Sequence, residues 1–187
     1  MDFYGFYTGK IFDAYQYLGA HTEKTGVTFR TFAPSASRIT VIGEFNDWQE
    51  SEMNKVYDGN FWECYIPEAK PGQMYKYRIY DRNDNPVDHC DPYGFGMELR
   101  PNSASIVRDM SKYKFKDSKW MQNRSDCRKK PLNIYEIHFG SFRKPSDKTD
   151  DWYTYEEMID ILIPYLTENG YNYLETVSYT HLRAHET

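Results

Sequence analysis

Two short runs of the sequence carry side chains that could do acid–base or metal chemistry. Glu136 and His138 are two residues apart in a strand-like stretch, so both side chains point to one side of that strand. They could form an acid/base or metal-binding pair, or simply pack and hydrogen-bond locally. His89, Cys90 and Asp91 are consecutive, and consecutive side chains diverge on an extended chain. We therefore predict no metal site and no cofactor.

Two further histidines near the end of the chain have the spacing of a helical metal pair. His181 and His185 are four residues apart, but they lie within residues 177–187. The sequence of this tail, VSYTHLRAHET, looks like an in-frame translation of a transposon-end adapter used in sequencing libraries. We therefore treat it as foreign, expect the native sequence to end at about Glu175, and exclude the tail from the functional reasoning.

The composition narrows the class of protein. The chain has 187 residues, with 23 Lys and Arg against 28 Asp and Glu, which gives a net charge of −5. This mild acidity argues against nucleic acid or an anionic membrane as a partner. No apolar run is long enough to span a bilayer, the amino terminus lacks the pattern of a secretory signal, and the three cysteines are widely spaced. We therefore expect a cytoplasmic protein with free thiols.

Short strands separated by turn residues dominate the first part of the chain. Residues 27–30 and 75–79 alternate apolar and polar side chains, and residues 38–42 are rich in β-branched residues. Trp62 shares one strand face with Cys64, and we expect Trp62 to lie in the core. This pattern predicts an antiparallel, immunoglobulin-like β-sandwich over residues 23–110, preceded by a lead segment at residues 1–22.

The next twenty residues lose this periodicity. Residues 111–130 are rich in Lys and Arg, and Pro131 follows them. The basic cluster at residues 124–130 could bind phosphate, but it lacks interleaved aromatic residues, and a solvated linker is the simpler interpretation.

Residues 131–176 have the pattern of a parallel β-α-β unit. Residues 133–139 resemble a strand, and Thr154 with Glu157 forms a capping box that opens a helix. Asn169 and Gly170 form a stop signal, after which residues 171–175 begin a second strand. The apolar residues of the helix recur at helical spacing: Tyr155, Met158, Ile159, Leu162 and Leu166. A single unit of this kind cannot bury both faces of its sheet.

Several motifs in this order resemble a known family of enzymes. They are RTFAP at residues 30–34, GEFNDW at 43–48, PGQMYKY at 71–77, DPY at 91–93, MELRP at 97–101 and PLNIYEIHFGSF at 131–142. The first five resemble carbohydrate-binding module family 48, a glycan-associated β-sandwich. The last, together with the helix, resembles the start of the (β/α)8 barrel of the bacterial branching enzymes in glycoside hydrolase family 13.

This resemblance implies an activity for a complete protein and a binding site for this chain. Branching enzymes cut an α-1,4-glucan and rejoin the piece through an α-1,6 linkage, in a retaining mechanism that uses two carboxyl groups. The family's catalytic residues lie beyond this chain, so none is assigned here and the chain alone is expected to be inactive. The resemblance places α-glucan contacts at Trp48 and Lys76. A second stacking tryptophan of the family would fall near Val87, which cannot stack.

Two other functions remain open at this point. The chain could be a stand-alone glycan-binding or regulatory module, in which case Trp48 would be its central residue. It could also be part of a related debranching or trehalose-forming enzyme, because these enzymes share the module. Trp48 could instead mainly pack its own turn or the interface with the barrel.

Overall fold

The structure is a computed structural model that describes residues 1–99, 101–124, 129–145 and 152–177. The chain divides into two compact units, Met1–Lys114 and Phe115–Thr187, here called the amino-terminal and carboxyl-terminal units. Nearly all of the predicted foreign tail, including both of its histidines, lies outside the described residues, as does part of the basic cluster at residues 124–130. Within the described ranges, no helix is long and apolar enough to cross a membrane.

The amino-terminal unit is built from two antiparallel sheets. The first sheet has the strand order β1-β2-β6-β5 and the second β4-β3-β7-β8, with β9 also pairing with β7. The strands are β1 (Gly19–Thr22), β2 (Val27–Phe32), β3 (Arg38–Gly43), β4 (Ser51–Glu52), β5 (Asn54–Val56), β6 (Phe61–Ile66), β7 (Met74–Tyr80), β8 (Pro86–His89) and β9 (Ser105–Ile106). The predicted antiparallel β-sandwich is confirmed, while its immunoglobulin-like character stays a prediction.

One hydrophobic core is shared by strands of both sheets. Alternate residues of each central strand point into it, as period-two patterning requires. The largest fully buried side chains include Phe29 of β2, Ile39 of β3 and Tyr75 of β7. Trp62 of β6 is 3% exposed, and its indole nitrogen donates a hydrogen bond to the Ala33 carbonyl oxygen at 3.1 Å. The prediction that Trp62 is a core residue is therefore confirmed.

The segment predicted as a lead, residues 1–22, is part of the sandwich. Its last four residues form β1, which pairs antiparallel with β2. Its first helix, α1 (Phe3–Tyr7), places Phe3 and Phe6 against Phe61, with ring centroids 4.9 and 5.3 Å apart. The sequence did not indicate β1, because GAHT contains a single β-branched residue and begins with a glycine at φ 105°.

A buried carboxylate joins β7 to the chain that follows β8. Asp91 is 3% exposed and accepts hydrogen bonds from the Tyr75 hydroxyl at 2.6 Å and the Tyr77 hydroxyl at 3.2 Å. It also accepts one from the Tyr93 amide at 2.8 Å, while its own amide donates to the Ser105 hydroxyl at 2.8 Å. Burial raises the pKa of Asp91, although the tyrosine and amide hydrogen bonds oppose that rise. These contacts give two buried phenol groups a charged acceptor, and the Tyr77 hydroxyl also lies 3.4 Å from the Arg30 carbonyl oxygen.

The carboxyl-terminal unit contains the predicted β-α-β arrangement. Its elements are α2 (Ser118–Asn123), β10 (Ile134–His138), α3 (Phe139–Phe142), α4 (Tyr155–Glu168) and β11 (Tyr173–Val177). Strands β10 and β11 pair in parallel, with Ile134 opposite Tyr173. Helix α4 begins at the predicted capping box, in which the Glu157 amide donates to Thr154 Oγ1 at 3.2 Å and the Thr154 amide donates to Glu157 Oε2 at 2.8 Å.

This unit differs from the prediction in two places. The segment predicted as a linker, residues 111–130, includes helix α2. In α4, the predicted apolar stripe divides into a buried and an exposed part. Its buried residues, Met158, Leu162 and Leu166, pack in one cluster with residues of β10, but Tyr155 and Ile159 are 47% and 57% exposed. A 3.6-residue period places these last two residues to one side of the contact with the sheet.

We expect Asp91→Ala to lower the free energy of unfolding by about 2–3 kcal/mol, because it removes the charged acceptor shared by two buried hydroxyls and the Tyr93 amide. Urea denaturation followed by circular dichroism would measure this change. Glu68→Ala is the matched control, since Glu68 is an acidic residue at an exposed turn, and it should change stability by no more than about 0.5 kcal/mol. Equal effects of the two substitutions would contradict the structural role of Asp91.

Candidate functional site

Trp48 lies on a tight turn that follows β3. This segment, residues 43–48, is called the tryptophan turn here. Its last two residues, Asp47 and Trp48, have left-handed backbones with φ of 53° and 58°. The Trp48 amide donates to the Gly43 carbonyl oxygen at 2.8 Å, and the Trp48 side chain is 40% exposed. The turn therefore holds an indole at the surface on a fixed backbone.

Asn46 provides the hydrogen bonds that shape the tryptophan turn. Its Oδ1 accepts from the Gly43 amide at 2.9 Å. Its Nδ2 donates to the Val41 carbonyl oxygen at 3.1 Å and to the Ser51 hydroxyl at 2.9 Å. Asparagine is a common turn residue because its short amide can replace backbone partners in this way. The turn is thus anchored to both β3 and β4.

Lys76 lies on β7, at the same end of the second sheet as the tryptophan turn. It is the strand partner of Ile42, and the next pair along the ladder joins Gly43 to Tyr75. Since Tyr75 and Tyr77 face the core, Lys76 between them faces outward. The Met74 amide, at the start of β7, also donates to Glu44 Oε2 at 2.8 Å. The two predicted glucan-contacting residues are thus brought to one end of one sheet.

An ion-pair network occupies the same outer face beyond Lys76. Arg78 bonds Asp88 through Nε at 2.7 Å and Glu50 through Nη1 at 3.1 Å. The hydrogen bond from the Tyr80 hydroxyl, at 2.6 Å, is the main cause that lowers the pKa of Glu50, and the bonds from Arg78 lower the pKa of Asp88. Both carboxylates are therefore held ionised near neutral pH. This surface offers planar hydrogen-bonding groups next to an exposed ring.

Val87 does not share a face with Lys76. In the ladder between β7 and β8, Val87 pairs with Ile79, and Ile79 is three residues from Lys76, so the two side chains point to opposite faces. Val87 instead lines a separate groove of about 320 Å³ with Ile79 and Ala33. The position where the resemblance places a second stacking residue is therefore apart from the surface that carries Lys76. Sequence spacing alone could not indicate this, because the facing depends on the strand register.

The acid–base candidates of the carboxyl-terminal unit form local contacts. Glu136 is exposed, and His138 lies at the end of β10, where its Nδ1 is 2.9 Å from the Ser141 hydroxyl of α3. That contact agrees with the structural alternative given above. In the other candidate run, His89 and Cys90 are exposed while Asp91 is buried, so these side chains diverge as expected. Within the described ranges, no group of three or more His, Cys, Asp or Glu side chains could hold a metal ion.

Comparisons with known proteins agree with the resemblance seen in the motifs. Residues 17–94 match the family Carbohydrate-binding module 48 (Isoamylase N-terminal domain). The chain is 39% identical, over 178 residues and 94% of its length, to a 1,4-alpha-glucan branching enzyme of Fusobacterium nucleatum subsp. nucleatum. It is 38% identical, over 183 residues and 94% of its length, to one of Geobacillus stearothermophilus. The chain spans 29% and 28% of the lengths of these two relatives.

Two solved structures share the fold at lower identity. A putative alpha amylase from Salmonella typhimurium is similar with a TM-score of 0.63 and 22% identity, over 86% of this chain and 24% of that one. A pullulanase from Paenibacillus barengoltzii is similar with a TM-score of 0.51 and 22% identity, over 73% of this chain and 23% of that one. At such identities the likeness concerns the fold alone.

We expect Asn46→Ala to loosen the tryptophan turn, because it removes an acceptor for the Gly43 amide and two further hydrogen bonds. The free energy of unfolding should fall by about 1–2 kcal/mol, and exchange of the Trp48 amide hydrogen should accelerate. Amide hydrogen exchange followed by NMR would measure this effect. Asn83→Ala, at an exposed turn of the same unit, is the control and should leave the Trp48 amide unchanged. Unchanged exchange in Asn46→Ala would contradict the role of Asn46.

Proposed function

We propose that this chain, whose residues 17–94 match carbohydrate-binding module family 48, is part of a 1,4-alpha-glucan branching enzyme and that its β-sandwich binds α-glucan. The observation that carries the proposal is the 39% identity to a branching enzyme over 94% of the chain. That similarity extends beyond the sandwich, because the sandwich alone could not account for a match of this length. It includes the β-α-β unit that a binding module would not require.

The tryptophan turn and β7 together have the chemistry of a glucan-binding surface. One face of a glucose ring is made of C–H groups, and the exposed indole of Trp48 offers it a flat apolar partner of low conformational entropy. The Lys76 ammonium is a flexible hydrogen-bond donor that suits sugar hydroxyls. Asn46 fixes the backbone of the turn that carries the indole, which reduces the backbone entropy lost when a glucan binds.

The carboxyl-terminal unit supports the enzyme proposal. In a (β/α)8 barrel each parallel strand is followed by a helix, and β10, α4 and β11 follow that order. Ile159 and Ile163 of α4 and Ile134 of β10 are about half exposed, so this unit has apolar surface that further barrel elements would cover.

The reaction of the complete enzyme would depend on residues of later barrel strands. A retaining transfer uses two carboxyl groups about 5–5.5 Å apart, one as nucleophile and one as acid/base. In barrel enzymes such groups lie at the carboxyl ends of the strands. We assign no catalytic role to any residue of this chain, and we propose that it is inactive alone. The cytoplasmic location stays a prediction that accords with this function.

Two alternatives differ in what they require of the carboxyl-terminal unit. A stand-alone glycan-binding module is consistent with the separate core of the amino-terminal unit, but it gives no use to α4. A debranching or trehalose-forming enzyme would use the same module, and the similar pullulanase from Paenibacillus barengoltzii shares the fold of this chain. That pullulanase is 22% identical to this chain, against 39% for the branching enzyme, which favours the first proposal.

We expect Trp48→Ala to weaken maltoheptaose binding by about tenfold, which corresponds to about 1.4 kcal/mol, because the variant loses the flat partner of the sugar ring. Lys76→Ala should weaken binding to a smaller extent. Isothermal titration calorimetry with the 187-residue chain would measure both effects. Trp120→Ala is the matched control, since Trp120 lies in the carboxyl-terminal unit and is 63% exposed. An equal loss in Trp120→Ala and Trp48→Ala would refute the assignment of Trp48.

We expect the 187-residue chain to form no α-1,6 linkages from amylose, while a longer product of the same gene does form them. The physical reason is that the paired carboxyl groups belong to later barrel strands. Proton NMR of the anomeric region, before and after treatment with a debranching enzyme, would detect the new linkages. New branches made by the 187-residue chain would contradict its proposed inactivity. A longer gene product that only hydrolyses α-1,6 linkages would favour a debranching enzyme.

A further inference from the structure

A second cleft lies on the first sheet of the sandwich, on the side of β1. It has a volume of about 340 Å³, at the small end of the range for ligand sites. It is bounded by β1, by the 3-10 turn at Ala14–Gln16 that precedes this strand, and by the chain on either side of β9. Five of its lining residues bear on its chemistry, namely Tyr15, Gln16, His21, Phe95 and Arg108. The lining contains no residue of the tryptophan turn or of β7, so the cleft is separate from the Trp48 and Lys76 surface.

His21 presents a fixed ring to this cleft. Its Nε2 is 3.0 Å from the Leu18 carbonyl oxygen, and since that oxygen can only accept, Nε2 carries the proton of the bond. With the proton of the bond on Nε2, Nδ1 is the ring nitrogen that can accept a hydrogen bond in that tautomer. Phe95 meets the imidazole edge to face, with ring centroids 5.9 Å apart and an angle of 83° between the ring planes. The imidazole is thus oriented by a carbonyl oxygen and by an aromatic ring.

Arg108 lines the cleft, and its side chain packs against Gly96. A Cβ atom added at Gly96 would lie 2.7 Å from Arg108 Nε and 3.0 Å from its Cγ, so a larger residue at this position would displace the arginine. The backbone at Gly96 is itself held, because the Ile106 amide donates to its carbonyl oxygen at 2.7 Å. The stem of Arg108 therefore packs directly on a fixed segment of backbone, and the guanidinium is a planar donor group at the cleft.

Tyr15 supplies an apolar face at the mouth of the cleft. It is 49% exposed and lies in the 3-10 turn, which is closed by the Tyr17 amide donating to the Ala14 carbonyl oxygen at 3.0 Å. Gln16 follows it with an amide that can both donate and accept hydrogen bonds. The cleft therefore combines aromatic faces with an imidazole, an amide and a guanidinium, all of them planar polar groups.

We propose that this cleft is a second α-glucan site, which holds a short stretch of glucosyl units independently of Trp48 and Lys76. The inference rests on the proposed function for the class of ligand. A sugar ring matches both parts of the lining, since its C–H face packs on the Tyr15 ring and its hydroxyls pair with His21, Gln16 and Arg108. With two separate sites, the module binds two segments of a branched glucan with an avidity that neither site has alone.

The test uses maltoheptaose as the probe and NMR titration of the 187-residue chain, with amide shifts followed separately around Trp48 and around His21. We expect two sets of shifting signals with different apparent affinities. Tyr15→Ala should weaken the His21 set by about tenfold or more and leave the Trp48 set unchanged, and Trp48→Ala should do the reverse. Arg108→Gln is a second cleft variant that keeps a planar polar group while it removes the charge and most donors. It should also weaken the His21 set.

Tyr4→Ala is the matched control, because Tyr4 is a tyrosine of the same unit that is 69% exposed and lies outside the cleft lining. Shifts at Trp48 without shifts at His21 would overturn the second site while the proposed function stands. An equal loss at both sites in Tyr15→Ala and Tyr4→Ala would also overturn it, since the effect would then not be specific to the cleft. Absence of binding at both sites would instead refute the proposed glucan-binding function itself.

Discussion

The fold of the amino-terminal unit depends on a carboxylate that is buried inside an aromatic core. Asp91 accepts hydrogen bonds from Tyr75 and Tyr77, which are neighbours on the core face of β7. Without this acceptor, two buried phenol hydroxyls would each lose a charge-assisted hydrogen bond, and Tyr77 would keep the longer one to the Arg30 carbonyl oxygen at 3.4 Å. The same residue bonds Ser105 of β9, a strand that pairs with β7, so it also ties the chain after β8 to the second sheet. Lys76, placed between the two tyrosines, faces outward because side chains alternate along the strand.

The sequence predicted those elements whose pattern is set by local physics. Helix α4 begins where Thr154 and Glu157 satisfy each other's backbone, and β2 and β7 follow their alternating patterns. It did not predict β1 or the exposed side of α4. A short strand gains its stability from the neighbour with which it pairs, and the exposure of Ile159 depends on how α4 rests on the sheet. Neither can be read from adjacent residues.

The candidate site, too, was predicted only where it depends on local sequence. The motif GEFNDW placed Trp48 in a turn, and the turn is there, with Asn46 as its centre of hydrogen bonding. Whether Val87 and Lys76 share a surface depended on strand register, and a difference of one residue in register reverses the answer. The cleft beside β1 could not be predicted at all. It brings together Tyr15, His21 and Arg108, whose positions in sequence gave no signal of proximity.

The aromatic residues of α1 pack on the sandwich, although α1 precedes the family match. The family match begins at residue 17, but the rings of Phe3 and Phe6 pack on Phe61, which is fully buried. A module excised at the family boundary would therefore expose Phe61 and part of Phe32 to water, and it would lose apolar contact area that the longer chain retains. The sixteen residues before that boundary therefore belong to the unit that folds, although the family match does not include them.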